Sequence, residues 1–342
     1  MVTLDDVAAR AGVSRMTVSN ALRGKAIVRP ETARRVREAA EALGYRPNIA
    51  ARQLSSGRTH IIGLAMADLD YIFPADLAAC VSDQATKRGY QVIIQQTRLS
   101  HDYEQQMLAS PAVQICDGTI LCWTSSNPSE MEDFGKSHPL VLFDGFEAEG
   151  RCDCVFTPAI TGMAAAARHL IEQGCRRILI LGDSYLPPEE FAAITSPGGR
   201  RIRGAAEAIL DAGLPYSHET VIPCPWTRPG GYQTVRRLIE QQYEFDGLCC
   251  ITDPIAIGAF KALLDAGLRI PQDVAITGFD GVADGQYLTP GLTTIAVDPN
   301  EVAKLCLDLL IERIEAATPP TPRTIIARHT LKQRGSAERG GD

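Results

Sequence analysis

Between Ser14 and Asn20 the order Ser-Arg-Met-Thr-Val-Ser-Asn gathers a guanidinium, a carboxamide, a thioether and three hydroxyls into one short stretch. On a helix lying in a major groove, Arg15 could pair with guanine O6 and N7, Asn20 with adenine, and Met16 could touch a thymine methyl. Ser14, Thr17, Ser19, Arg23 and Lys25 suit phosphate oxygens, contacts that set register without reading bases. Thr3 and Arg29 extend that phosphate set. The alternative is a generic helical subdomain with a solvated polar face.

Charge favours the first reading. Residues 1–60 hold 11 Lys and Arg against 5 Asp and Glu, while the remainder holds 23 against 36. A basic front on an acidic body suggests that the front alone meets a polyanion, because the body repels one.

The elements that must position these side chains are short helices. Thr3 can cap a first helix from Leu4 to Ala11, with Asp5 and Asp6 at its positive end and Gly12 to stop it. Ser14 can cap a second from Arg15 to Leu22, with Val18, Ala21 and Leu22 turned inward. A third should run from Glu31 to Leu43 after Pro30, burying Ala33, Val36, Ala40 and Leu43 before Gly44 ends it. Two helices joined by a short glycine-containing turn have helix-turn-helix geometry.

From Ile61 onward, apolar strand-length runs alternate with amphipathic helix-length ones. The strand candidates are IIGLAM, YQVII, GTILC, PLVLF, RILIL, ETVIP, GLCCI, DVAIT, TTIAV and TIIAR. The helix candidates are 74–88, 102–109, 160–173, 200–212, 230–241, 254–266 and 299–316. Such β-α alternation predicts parallel sheets covered on both faces, in two doubly wound lobes that part near residue 158. A body of this kind could be an enzyme. However, it contains no G-x-G-x-x-G, no G-x-x-x-x-G-K-[ST] and no G-x-S-x-G, and its histidines lack ligand spacing. No cofactor, metal site or catalytic residue is therefore expected. The ten cysteines form no C-x-x-C pair, and several lie in apolar runs, so they read as buried reduced thiols. The absence of a long apolar window and of an export-like opening points to the cytoplasm, with no membrane partner.

The motif Thr3-Leu4-Asp5-Asp6-Val7-Ala8 through Val13-Ser14-x-x-Thr17-Val18-Ser19-x-Ala21-Leu22, followed by Leu43-Gly44-Tyr45-x-Pro47-Asn48, resembles the lactose/galactose repressor (LacI/GalR) family. The resemblance implies an all-α helix-turn-helix head over residues 1–46 and a hinge helix and linker over 47–59. An α/β effector-binding and dimerisation body of periplasmic-binding-protein type I follows over 60–335, and then a polar tail over 336–342. Within the body, one lobe is expected over about 60–158 and 292–318, and the other over 159–291 and 319–335. Arg29 departs from the small capping residue more usual before the third helix. The resemblance further implies that two hinge helices meet over a minor groove and insert a leucine, here Leu54, with Ala51 one turn earlier allowing close approach. The plain alternative is a linker with Leu54 packed on the body.

In such a fold a ligand lies at the carboxyl ends of the strands, between the lobes. By resemblance, Asp280 and Arg201 grip polar ligand groups, Trp226 forms an aromatic wall and Phe73 is the aromatic of the first lobe. Asp253 falls where sugar-binding relatives place Asn-Asp, although Thr252 replaces the asparagine. Pro158, near the lobe crossover, is given no ligand contact. Together these imply a homodimeric transcriptional regulator reading a pseudo-palindromic DNA operator, a repressor of carbohydrate-utilisation genes controlled by a sugar-like effector. A purine effector, a corepressor protein, or a solute-binding role for transport are the competing readings. Dimer contacts are expected from helices such as 74–88 and 254–266, and the tail lacks the leucine heptads of a coiled-coil tetramer.

Overall fold

The computed structural model describes residues 2–22, 27–45 and 58–339. The chain divides into two compact units, residues 1–59 and 60–342.

The first unit contains α1 (Leu4–Ala11), α2 (Arg15–Leu22) and α3 (Pro30–Ala42). Thr3 and Asp6 form a reciprocal capping box at the start of α1, and Gly12 ends it at φ 61°. The Ser14 hydroxyl accepts from Thr17 N–H at 3.2 Å and so caps α2. Arg29 stands at the α3 cap without a side-chain cap bond, and Pro30 begins the helix. Val7, Ala11, Val18, Ala21, Val36, Ala39 and Ala40 form the core, with Leu22, Ala33 and Leu43 packed partly buried against it.

The second unit runs β1 (Ile61–Met66), α4 (Ile72–Lys87), β2 (Gln91–Gln96), α5 (His101–Leu108), the single turn α6 (Pro111–Gln114), β3 (Gly118–Cys122), α7 (Pro128–Ser137), β4 (Leu140–Phe143), β5 (Asp153–Phe156) and α8 (Ala159–Glu172). It continues through β6 (Ile178–Gly182), α9 (Pro197–Asp211), β7 (Val221–Pro223), α10 (Arg228–Glu240), β8 (Gly247–Cys250), α11 (Asp253–Asp265) and β9 (Ala275–Asp280). It closes with β10 (Thr293–Val297), α12 (Pro299–Glu315), β11 (Thr324–Ile326) and β12 (His329–Lys332). Two six-stranded sheets result, ordered β11-β5-β4-β3-β1-β2 and β12-β10-β9-β8-β6-β7. All pairings are parallel except β10 with β12. Strands such as β1, β3, β4 and β9 are buried along their whole length, as sheets with helices on both faces require.

The lobe assignment near the C-terminus needs correction. Residues 293–297 pair with β9 in the second sheet, whereas 324–326 pair with β5 in the first. The reason is the apolar face of α12, where Val302, Ala303, Cys306, Leu307, Leu309 and Leu310 are buried. That face covers the first sheet, with Leu310 Cδ1 2.9 Å from where a Cβ on Gly118 would lie. The chain therefore changes lobe after β10, not before it. The strand β5, the helix α7 and the antiparallel β12 were not anticipated: β5 is four residues long and β12 is a half-exposed edge.

Helices pair closely where glycine removes a side chain. A Cβ on Gly204 of α9 would lie 2.1 Å from the carbonyl oxygen of Ile160 on α8, and one on Gly258 of α11 would lie 2.0 Å from that of Arg228 on α10. Backbone atoms cannot yield as a side-chain tip can. Gly204→Ala should therefore destabilise the second unit by about 1–3 kcal/mol. The check is urea unfolding followed by tryptophan fluorescence, and an unchanged midpoint would contradict this packing.

Candidate functional site

Two sites are built by these units. On the first, Met16 projects from α2 at 71% exposure, a large apolar side chain with no core to join. Arg15 is exposed and lies 3.6 Å from Asp5 across the helix pair. Such a solvated ion pair holds little energy, so the guanidinium is available to a stronger anion. Thr17 and Ser14 share a hydroxyl contact of 2.9 Å, and Ser19 and Asn20 are half-buried on the same helix. The Thr3 hydroxyl is already committed to Asp6 Oδ2 at 2.8 Å. Arg29 is exposed at the start of α3. Arg23, Lys25, Ala51 and Leu54 lie outside the described residues.

The second site stands at the carboxyl ends of both sheets. Arg201, on α9, is 4% exposed. Its Nη1 donates to the Ile251 carbonyl at 2.7 Å and lies 3.4 Å from Asp280 Oδ1. Its guanidinium stacks 4.0 Å above the Phe279 ring and 5.9 Å from the Trp226 ring, and its Nε is buried without a partner. The Trp226 indole N–H donates to the Gly182 carbonyl at 3.0 Å, which fixes the ring. Asp280 closes β9 at φ 112°, and Gly281 follows at φ 80° against Ala296, where a Cβ would come within 2.5 Å. Arg201, Trp226 and Asp280 are thus brought together.

Asp253 has a different place. It is fully buried at the start of α11, behind the Thr252 cap. Its carboxylate accepts from Gly281 N–H and Val282 N–H at 2.8 Å each and from the Thr294 hydroxyl at 2.6 Å. These bonds fasten the turn after Asp280, so Asp253 acts as a support for the site. Phe73 lies in the first lobe at the start of α4, packed against Trp123 and Phe143 at ring distances of 6.5 and 6.4 Å.

Sequence reasoning missed Trp123 and Asp144, although each directly follows a strand, β3 and β4. Both have positive φ, 54° and 52°. Asp144 is 3% exposed and accepts from Thr157 N–H at 2.7 Å and from the Thr157 hydroxyl at 3.0 Å. Arg200 was also missed. This second-lobe residue lies 4.2 Å over the Phe146 ring and 3.7 Å from Glu149, both of the first lobe, while the Thr195 hydroxyl reaches Glu147 at 3.3 Å.

Burial pushes the carboxyls of Asp144, Asp253 and Asp280 above the ordinary range. Asp280 further raises Asp253, and Asp144 raises Asp280. The Thr157 N–H and Arg201 pull Asp144 back, and Arg201 pulls Asp280 back. Their folded-state pKa values exceed those of the unfolded chain, so folding takes up protons in the window between the two, and stability falls as pH rises through it. The melting temperature should accordingly be lower at about pH 8 than at about pH 6. Asp280→Asn should flatten that slope, and scanning calorimetry across this range is the check.

Among the described residues, no group of three or more His, Cys, Asp or Glu could hold a metal ion, and no helix is long and apolar enough to cross a membrane. The profile described as "Bacterial regulatory proteins, lacI family" matches residues 3–48, and the "Periplasmic binding protein-like domain" profile matches residues 167–337. The chain is 30% identical over 344 residues to the HTH-type transcriptional repressor PurR of Erwinia tasmaniensis, covering 99% of this chain and 98% of that one. It is 28% identical to catabolite control protein A of Priestia megaterium, covering 97% and 99%. A LacI-family protein of Sanguibacter keddieii superposes with a TM-score of 0.74 at 30% identity, over 82% of this chain and 99% of that one. The transcriptional regulator CelR in complex with cellobiose gives 0.70 at 27% identity, over 98% and 100%. The lac repressor dimer bound to operator gives 0.82 at 21%, over 98% and 99%, a likeness of fold. These relatives are transcriptional regulators, not enzymes. The chain belongs to the lacI family of bacterial regulatory proteins and is a DNA-binding transcriptional regulator with an effector-binding body.

Proposed function

We propose that the chain is a cytoplasmic, homodimeric repressor of carbohydrate-utilisation genes whose operator affinity is set by a sugar-like effector between the lobes. The observation that carries this reading is the Arg201–Trp226–Asp280 group. A fixed indole face suits the C–H side of a pyranose, and a guanidinium beside a carboxylate offers the donor and acceptor that ring hydroxyls require. The relative in complex with cellobiose, at 27% identity, supports the same ligand class.

On this reading residues 1–46 bind DNA, 47–59 form the hinge, and the rest up to residue 335 senses effector and dimerises. Arg15, Met16 and Asn20 read bases. Thr3, Ser14, Thr17, Ser19, Arg23, Lys25 and Arg29 meet phosphates, so binding falls steeply with salt. The effector changes operator affinity only by its differential affinity for the two lobe arrangements.

The test is a thermal-shift panel of sugars and purines followed by operator titration with the hits. A sugar should raise the melting temperature of the parent and leave Asp280→Asn unmoved. Stabilisation by hypoxanthine or guanine alone would refute the sugar effector. On duplexes selected from a random pool, Arg15→Ala should cost about 1–3 kcal/mol and relax preference at one base pair. Leu54→Ala should weaken operator binding while the body keeps its effector affinity, and equal operator affinity would remove the wedge role.

A further inference from the structure

The first turn of α9 faces two ways. Ser196 caps it, its hydroxyl accepting from Gly199 N–H at 3.1 Å, and Arg200 and Arg201 follow as neighbours. Successive residues of a helix project about 100° apart. Arg201 turns to Ile251 and Asp280 of its own lobe, whereas Arg200 turns to the first lobe. Its guanidinium carbon lies 4.2 Å from the Phe146 ring centroid and 5.7 Å from that of Phe156, two rings whose centroids are 4.1 Å apart. Glu149 adds an ion pair at 3.7 Å, and the Thr195 hydroxyl, one residue before the cap, donates to Glu147 at 3.3 Å. Phe146, Glu147 and Glu149 lie on one short turn after β4.

The Arg200 side chain is 20% exposed, and its Nε is buried with no acceptor. Two effects therefore oppose one another. A desolvated guanidinium is attracted to the aromatic face beneath it. A buried N–H without an acceptor forgoes a hydrogen bond that water would supply. The two are of similar size, so this is a contact able to form and to part. Glu149 is half-exposed, and its long ion pair adds little. The same helical turn also supports the aromatic wall, since a Cβ on Gly198 would lie 2.8 Å from the Trp226 ring. Arg200 thus stands on the turn that carries Arg201 and packs against Trp226.

We propose that Arg200 is an affinity-determining residue outside the effector-contacting set, a clasp whose stack on Phe146 holds the lobes together and so sets how tightly the effector is bound. This rests on the reading of the Arg201–Trp226–Asp280 group as the effector site. An effector held between the lobes binds the arrangement in which they meet, and its measured affinity is its intrinsic affinity reduced by the fraction of molecules in that arrangement. The clasp raises that fraction. Because the dry Nε offsets part of the stacking, the fraction stays incomplete and the effector can still shift it.

The experiment compares the full-length protein with Arg200→Ala, Arg200→Lys and Glu149→Gln, each with a melting temperature confirming the fold. Amide hydrogen exchange of the effector-free proteins comes first. Arg200→Ala should speed exchange severalfold in the Phe146–Glu149 turn of the first lobe as well as at the start of α9. Arg203→Ala, which removes bonds to Glu207 and the Phe191 carbonyl within the second lobe, should leave the first-lobe turn unchanged. Glucose, galactose, ribose, cellobiose, hypoxanthine and guanine are then titrated calorimetrically. Whichever binds the parent should bind Arg200→Ala about three- to tenfold more weakly. Arg200→Lys, which keeps the charge without the planar face, should fall in between, and Glu149→Gln should stay within about twofold of the parent. Unchanged exchange in the first-lobe turn, or equal affinity of Arg200→Ala and the parent, overturns the inference. Faster exchange in both lobes with a purine as the one ligand weakened by Arg200→Ala keeps the clasp and removes the sugar reading. No binding of any of the six to the parent removes the effector reading and, with it, the role of the clasp in affinity.

Discussion

A guanidinium withdrawn from water must be surrounded by acceptors or aromatic faces, and the body of this protein is arranged to do that for Arg201. Its partners come from separate parts of the second lobe: the Ile251 carbonyl after β8, the Phe279 ring on β9, the Asp280 carboxylate at the end of that strand, and Trp226 before α10. Removing one member of a buried charge pair usually costs about 3–5 kcal/mol, because the other is left uncompensated. Asp280 is held in a positive-φ conformation for this purpose, and Asp253 holds the following turn by three hydrogen bonds. Gly278 makes room for that carboxylate, since a Cβ there would fall 2.1 Å from Asp253 Oδ1.

The same arrangement couples the lobes. Asp144 comes from the first lobe, and the charge of Arg201 in the second lowers its carboxyl against the upward push of burial. At the rim, Arg200 reaches from α9 to Phe146 and Glu149, and Thr195 to Glu147. These contacts join side chains of the second lobe to side chains of the first. The chain crosses between the lobes at residues 157–158, 298 and 327–328.

Much of this was legible beforehand, and for local reasons. The capping box of Thr3 and Asp6, the Ser14 cap and the glycine stop at Gly12 are interactions within three or four residues, so composition and spacing reveal them. The β-α alternation followed from apolar runs of strand length. Asp144 and Trp123 obey the strand-end rule that pointed to Asp280, yet nothing in LCW or LFD separates a site residue from an ordinary turn. The position of β10 was misjudged for a related reason. TTIAV is equally apolar in either sheet, and only the buried face of the helix that follows decides where the chain crosses.

What the sequence alone determined is the set of interactions whose partners are near neighbours: helix starts and stops, the exposed polar face of α2, the parallel character of the sheets and the family motif. Tertiary structure decided what each strand-end carboxylate does. Asp253 meets its donors 28 to 41 residues away and becomes a fastener, while Asp280 meets Arg201 and becomes part of the site. Both are aspartates beside a strand end, and their difference lies in which distant groups folding places within hydrogen-bond reach.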